Sequence, residues 1–207
     1  IVLYSMKINE SSDILSNTML GFEFEFFSKY SVDETRAMLK PILNKKIIKM
    51  EKAHSDFKPT SDIYKIEPDF SGGKKMIELI TGSMPYYEAR LILIKMLKWI
   101  SVNGYTTDRT SLHINISFNK NFVGKEFMSH MDTLKYILDF DESLVYKLFP
   151  NREKSVYAKS IKFISPANKY NLIEIENVIP KNFIIPDTKY YGINFSKLLK
   201  NYLEYRY

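Results

Sequence analysis

Acidic residues two apart recur along this chain: Glu23 and Glu25 in G-F-E-F-E-F, Glu67 and Asp69 in I-E-P-D-F, with Glu78 following in I-E-L-I-T. Other polar side chains keep the same spacing. Ser71 stands two beyond Asp69, His113 and Asn115 share S-L-H-I-N-I-S, and Glu204 and Arg206 share L-E-Y-R, with Asn194 in Y-Y-G-I-N-F. In an extended chain residues i and i+2 point to one side, so each set belongs to one face of a strand. If these strands share a sheet, its polar face carries several carboxylates, an imidazole and a guanidinium. Carboxylates gathered that closely repel one another unless positive charge stands among them, and a hard divalent cation with oxygen ligands supplies it, Mg2+ being the natural candidate. A metal with Arg and Lys nearby is one way to hold a nucleoside triphosphate and to neutralise charge during phosphoryl transfer.

The elements that must position these residues follow from periodicity. Met19–Phe27 alternates Phe22, Phe24 and Phe26 against Gly21, Glu23 and Glu25, the pattern of a half-buried strand. Ser31-Val-Asp-Glu34 has capping-box spacing and opens a helix expected to stop near Leu39, before Pro41. A short strand is expected around Lys46–Met50. Ile63–Phe70 and Lys75–Thr81 read as strands joined by a hairpin turn at Ser71-Gly-Gly-Lys74, whose glycines tolerate positive φ. Pro85 opens a long helix that ends at an Asn103-Gly104 cap, and Ser111–Phe118 is a further one-sided strand. Gly124–Pro150 turns helical in two pieces divided near Asp139–Asp141, and Asn151–Pro186 is mixed, with a strand at Leu172–Glu176. Tyr190–Ser196 and Asn201–Arg206 alternate again. Two-faced strands interspersed with helices predict an α+β domain built on a mainly antiparallel sheet.

Composition narrows the chemistry. The 207 residues suit one globular domain, 1–207, with neither linker nor repeat, and both ends read as trimmed from a longer protein. There are 30 Lys and Arg against 24 Asp and Glu, a net charge of +6 that mildly favours anionic partners. Cysteine is absent, which excludes disulfides, thiolate metal sites and thiol nucleophiles. The apolar run Ala89–Val102 is interrupted by Arg90, Lys95 and Lys98, so it reads as an amphipathic core helix and not as a membrane span. Gly72-Gly73-Lys74-Lys75 lacks P-loop spacing, and His54 and His130 have no spaced ligand partner. The 15 Tyr and 14 Phe fall mostly at core-facing positions, which favours packing over base stacking. Lys45–Lys52 reads as a solvated strand edge.

With those motifs in hand, the chain resembles the amidoligase family, distant relatives of glutamine synthetase and glutamate–cysteine ligase. The matching elements run in order: G-F-E-F-E-F at Gly21–Phe26, D-F-S and I-E-L-I-T within Asp69–Thr81, S-L-H-I-N-I-S at Ser111–Ser117, N-R-E-K-S-V-Y-A-K-S at Asn151–Ser160, Y-Y-G-I-N-F at Tyr190–Phe195 and L-E-Y-R at Leu203–Arg206. The resemblance implies a curved, glutamine-synthetase-like antiparallel sheet whose concave face binds ATP and Mg2+ or Mn2+ between flanking helices. It implies Glu23, Glu25, Glu78 and Glu204 as metal ligands, with His113 on metal or phosphate. Arg206 would stabilise the transferring phosphate, Arg152 and Lys159 would bind phosphate or a substrate carboxylate, and Asn194 would orient substrate. Asn115 stands where the family's H-x-H strand has its second histidine, and Ser111 where a glycine is common. Asp69 is the candidate general base.

The activity so implied is ATP-dependent ligation: a substrate carboxylate takes the γ-phosphate, and an amine then displaces phosphate from the acyl phosphate to give an amide. The expected partners are ATP, a carboxylate and an amine on a peptide, protein or cell-wall-like substrate, with a homo-oligomer as a further option. The expected setting is the cytoplasm of a bacterial or phage-infected cell, without membrane association. The alternative is an inactive protein that keeps the fold, such as a phage virion component. A nucleic-acid-binding module is disfavoured by the lack of RNP, KH or zinc-finger signatures.

Overall fold

The computed structural model describes residues 10–70, 76–119, 121, 128, 131, 136, 137, 139–152, 154, 155, 158–161 and 191–207. Two compact units are distinguished, residues 1–124 and 125–207. The hairpin turn at 71–74, the strand expected at 172–176, His130 and Tyr190 lie outside the described residues.

The first unit is a mixed α+β fold on an open, mostly antiparallel sheet. Its elements are α1 (Glu10–Asn17), β1 (Thr18–Ser28), α2 (Val32–Leu43), β2 (Lys46–Lys49), β3 (Ile63–Pro68), β4 (Met76–Ile80), β5 (Met84–Pro85), α3 (Tyr86–Asn103), β6 (Gly104–Tyr105) and β7 (Leu112–Phe118). Strand order is β2-β3-β4-β1-β7, with β5 and β6 also pairing to β1. Only β2 and β3 run parallel among these pairs. The alternation in β1 sends Phe22, Phe24 and Phe26 into the core, where Ile66 of β3 and Leu79 of β4 join them. Leu39 and Leu43 of α2 and Ile92, Met96 and Trp99 of α3 close that core. Phe26 meets Trp99 edge to face.

The capping box forms as expected: the Ser31 hydroxyl accepts from Glu34 N–H, and the Glu34 carboxylate accepts from Ser31 N–H. The stop expected near Leu39 is not observed. The helix continues through Pro41 to Leu43 and is capped by Asn44 in the left-handed region at φ 53°. Proline forfeits one bond, to the carbonyl four residues back, whereas stopping earlier would withdraw Leu43 from the core beside Leu39. Gly104 follows α3 in extended conformation, so positive φ is not its purpose. A Cβ there would come within 2.6 Å of the Phe27 carbonyl oxygen, and the pairing of β6 with β1 requires that approach.

In the second unit, Asp141 caps α4 (Glu142–Leu148) by accepting from Ser143 N–H, which agrees with the break expected at 139–141. A 3-10 turn at Pro150–Arg152 follows. The alternation expected over 190–196 yields only β8 (Ile193–Asn194), because the Asn194 side-chain Oδ1 accepts from Ser196 N–H and turns the chain into a 3-10 helix at Phe195–Lys200. β9 (Leu203–Arg206) pairs antiparallel with β8, placing Asn194 opposite Glu204. A buried carboxylate organises this unit. Glu142 accepts from Tyr207 Oη at 2.8 Å, Ile161 N–H at 3.0 Å, Tyr146 Oη at 3.2 Å and Ser160 Oγ at 2.5 Å. Among the described residues no helix is long and apolar enough to cross a membrane.

Candidate functional site

The side of the β3-β4-β1-β7 sheet opposite the phenylalanines carries the polar set, and strand register decides which members meet. In one lateral row Glu67 stands opposite Glu78, and Glu78 opposite Glu25. In the next row Lys65 stands opposite Ile80, Ile80 opposite Glu23, and Glu23 opposite His113. Gly21 and Asn115 face each other one step further. Residues distant in sequence are thus brought to one wall by antiparallel pairing.

The contacts are tight. His113 Nδ1 lies 2.9 Å from Glu23 Oε2, and its Nε2 lies 2.9 Å from Ser111 Oγ and 3.6 Å from Glu25 Oε1. Ser111 Oγ donates to Glu25 Oε2 at 2.5 Å, so its one proton is committed. Both ring nitrogens of His113 are thus held within the cluster, one by Glu23 and the other by Ser111. Asn115 Nδ2 donates to Glu23 Oε1 at 3.2 Å, while its Oδ1 is buried and has no hydrogen-bond partner among the described residues.

Electrostatics single out Glu78. Burial raises its carboxyl first, and the neighbouring charges of Glu23, Glu25, Glu67 and Asp69 raise it further, to about 9. Glu67, in the same row, is neutralised by protein: Lys65 Nζ approaches to 2.9 Å, and His54 N–H and Ser55 Oγ donate at 3.0 and 3.1 Å. Sequence reading missed Lys65, although K-I-E placed it two before Glu67 and hence on the same face. Ser111 likewise stands two before His113 in S-L-H and hence on its face.

Ligand atoms of Glu23, Glu78 and His113 all lie within 4.8 Å of one another, so these residues could hold a metal ion. The donor set fits a hard or borderline divalent cation, with two carboxylates and one imidazole. The upward shift at Glu78 is what a cluster short of positive charge produces, and it marks where a cation would be most favourable. Glu25, fixed by Ser111, adjoins the group, and Asp69 is buried among the acids that act on Glu78.

The remaining candidates belong to the second unit and form a cluster of their own. Buried Glu204 accepts from Arg206 at 2.6 Å and from Asn194 Nδ2 at 3.3 Å, with Lys197 Nζ at 3.8 Å. Arg206 Nε is buried without a hydrogen-bond partner among the described residues. Arg152 is half-buried on the 3-10 turn, and Lys159 is exposed where its residue bridges to Tyr191. His54 is exposed and contributes its backbone, not its ring, to Glu67. Lys45 departs from the solvated edge expected of it, since its ammonium is largely covered and pairs with Glu88 at 2.5 Å and Asp62 at 3.2 Å.

The site thus defined is a carboxylate–histidine cluster on the polar face of a mostly antiparallel sheet. The chain matches no family model, no curated protein and no solved structure.

Proposed function

We propose that this protein is an ATP-dependent carboxylate–amine ligase of the amidoligase kind, with a glutamine-synthetase-like catalytic sheet. The observation that carries the reading is the convergence of Glu23, Glu78 and His113, from three strands, to within 4.8 Å. The cation they would hold is Mg2+ or Mn2+. When bound, it supplies the charge neutralisation that a triphosphate and a developing acyl phosphate require.

The chain's own residues supply the rest. Glu23 and Glu78 offer oxygen ligands and His113 a nitrogen, with Ser111 and Asn115 fixing the orientation of the histidine and of Glu23. Asn115 Oδ1, buried and unpartnered among the described residues, is an acceptor directed to a donor on the ligand, such as an exocyclic amine or a metal-bound water. Arg206 is the cation assigned to the transferring phosphate, held by Glu204 and keeping a buried Nε–H to donate. Arg152 and Lys159 are assigned to phosphate or the substrate carboxylate, Asn194 to substrate orientation, and Asp69 to accepting the amine proton. The lack of cysteine nucleophiles agrees with this reading, since attack on the γ-phosphate would come from the substrate.

The test is thermal unfolding with Mg·ATP, Mn·ATP and ATP in chelator, followed by ADP release with candidate carboxylate and amine substrates. Metal-dependent stabilisation is expected, lost in Glu23→Ala and His113→Ala. ADP release should be lost in Arg206→Ala. Indifference to every nucleotide and metal would overturn the reading in favour of an inactive protein.

A further inference from the structure

Helix α3 has a second apolar side that the core does not use. Ala89, Ile92, Met96, Trp99 and Ile100 face the sheet and are buried. On the opposite side Tyr87, Leu91, Ile94, Leu97 and Val102 are each half exposed or more. A continuous exposed stripe of this kind, on a helix already packed on its other side, marks an interaction surface.

The first three residues of the stripe, Tyr87, Leu91 and Ile94, take heptad steps, and polar Lys98 and Ser101 continue them. Tyr87, Leu91, Ile94, Lys98 and Ser101 alternate steps of four and three, the d-a-d-a-d rhythm of a heptad. Leu97 and Val102 widen it on either side, at g and e positions. Cations complete the surface: Arg90, Lys95 and Lys98 are all exposed. The single acid of α3, Glu88, is occupied by Lys45 at 2.5 Å. The face is therefore apolar along Tyr87, Leu91 and Ile94, with Lys98 in its midline and Arg90 and Lys95 on its flanks.

We propose that this face of α3 docks an acidic amphipathic helix of a partner protein. Lys98 sets the register, meeting a carboxylate on that helix, as a lone lysine at an a position does in a heptad seam. Acids on the partner's flanks meet Arg90 and Lys95. A second copy of this chain does not suit the face, since pairing would bring the same three cations from each protomer together with no free acid opposite. A lipid surface suits it less well, because Lys98 sits in the middle of the apolar stripe and would be pressed toward the acyl layer instead of lying on a separate polar face.

The probe is a fluorescent synthetic helix of about three heptads, with Leu at a and d and Glu at e and g, titrated with the full-length protein. A Lys-for-Glu version of the same helix, phosphatidylglycerol vesicles and sedimentation of the protein alone are run alongside. The acidic helix should bind and the basic one should not. Ile94→Asp should weaken binding at least about tenfold, and Lys98→Glu should reverse the preference between the two helices. Both positions are exposed, and unchanged melting of the variants would show that the fold survives. The proposal is overturned if the acidic helix fails to bind, if it binds Ile94→Asp equally, if vesicles bind and the helix does not, or if the protein self-associates through this face. None of these outcomes depends on nucleotide or metal.

Discussion

His113 Nδ1 and Glu23 Oε2 lie 2.9 Å apart although the residues are separated by 90 positions, because β1 and β7 pair with these two residues directly opposite. The contact ties the imidazole to the carboxylate with which it would share a cation, and Ser111 holds the other ring nitrogen. The cluster is held together by the protein's own contacts, and its behaviour toward protons and metals can be measured without knowing a substrate.

Metal-free protein should lose stability as pH rises from about 5 toward 9. The Glu78 carboxyl is raised from an ordinary 4.5 to about 9 by burial and neighbouring acids. Between those values the native state keeps a proton that the unfolded chain has released, so raising pH favours unfolding, at most on the order of 1 kcal/mol per pH unit. Denaturant titrations across this range should show the slope, and Glu78→Gln should flatten it. A stability that climbs over the same window would contradict the assignment.

Mn2+ should bind with release of a proton near neutral pH, because a ligand carboxyl held protonated must ionise to accept the metal. Calorimetry in two buffers of different ionisation enthalpy reads the proton count. In Glu78→Gln the released proton should disappear and affinity should fall at least about tenfold, the usual scale for loss of metal-site partners. Equal proton release in the variant would place the titrating group elsewhere.

Gly82→Ala should be disproportionately destabilising. A Cβ at this position would come within 2.2 Å of the Thr60 carbonyl carbon, and backbone cannot move aside as a flexible side chain can. A loss of about 3 kcal/mol is expected, at the upper end of overpacking costs. Gly21→Ala meets only ordinary contacts, at 3.5 Å and beyond, and serves as the control in the same unfolding assay.

Glu142→Ala should cost several kcal/mol, on the order of 3 to 5, by stranding the buried donors of Tyr207, Ser160 and Ile161 together, whereas Tyr146 keeps its bond to the Ala158 carbonyl at 2.8 Å. Tyr207→Phe removes one donor only and should cost about 1 kcal/mol. Similar losses for the two variants would show that the carboxylate is not the organising group of the second unit.

Much of this was legible in the chain because a strand's side chains alternate and a helix start has its own chemistry. Phe22, Phe24 and Phe26 against Glu23 and Glu25 declared both faces of β1, His113 and Asn115 declared the polar face of β7, and Ser31 with Glu34 declared the start of α2. The end of α2 was not legible, since proline's local penalty is weighed against the burial of Leu43, a contact made with distant residues. Nor was the stop of β8, where the hydrogen bonds that Asn194 Oδ1 accepts from Ser196 outweigh a two-residue period.

Tertiary structure alone decided which polar residues meet. Period-two alternation assigns a side chain to a face, but a shift of register by two residues keeps every face and changes every partner. The register that sets Glu78 between Glu67 and Glu25 is what raises its carboxyl, and the one that sets Glu23 against His113 brings carboxylate and imidazole into contact. The outward stripe of α3 follows the same logic: the residues were written in the sequence, and only packing determined which side of the helix was left exposed.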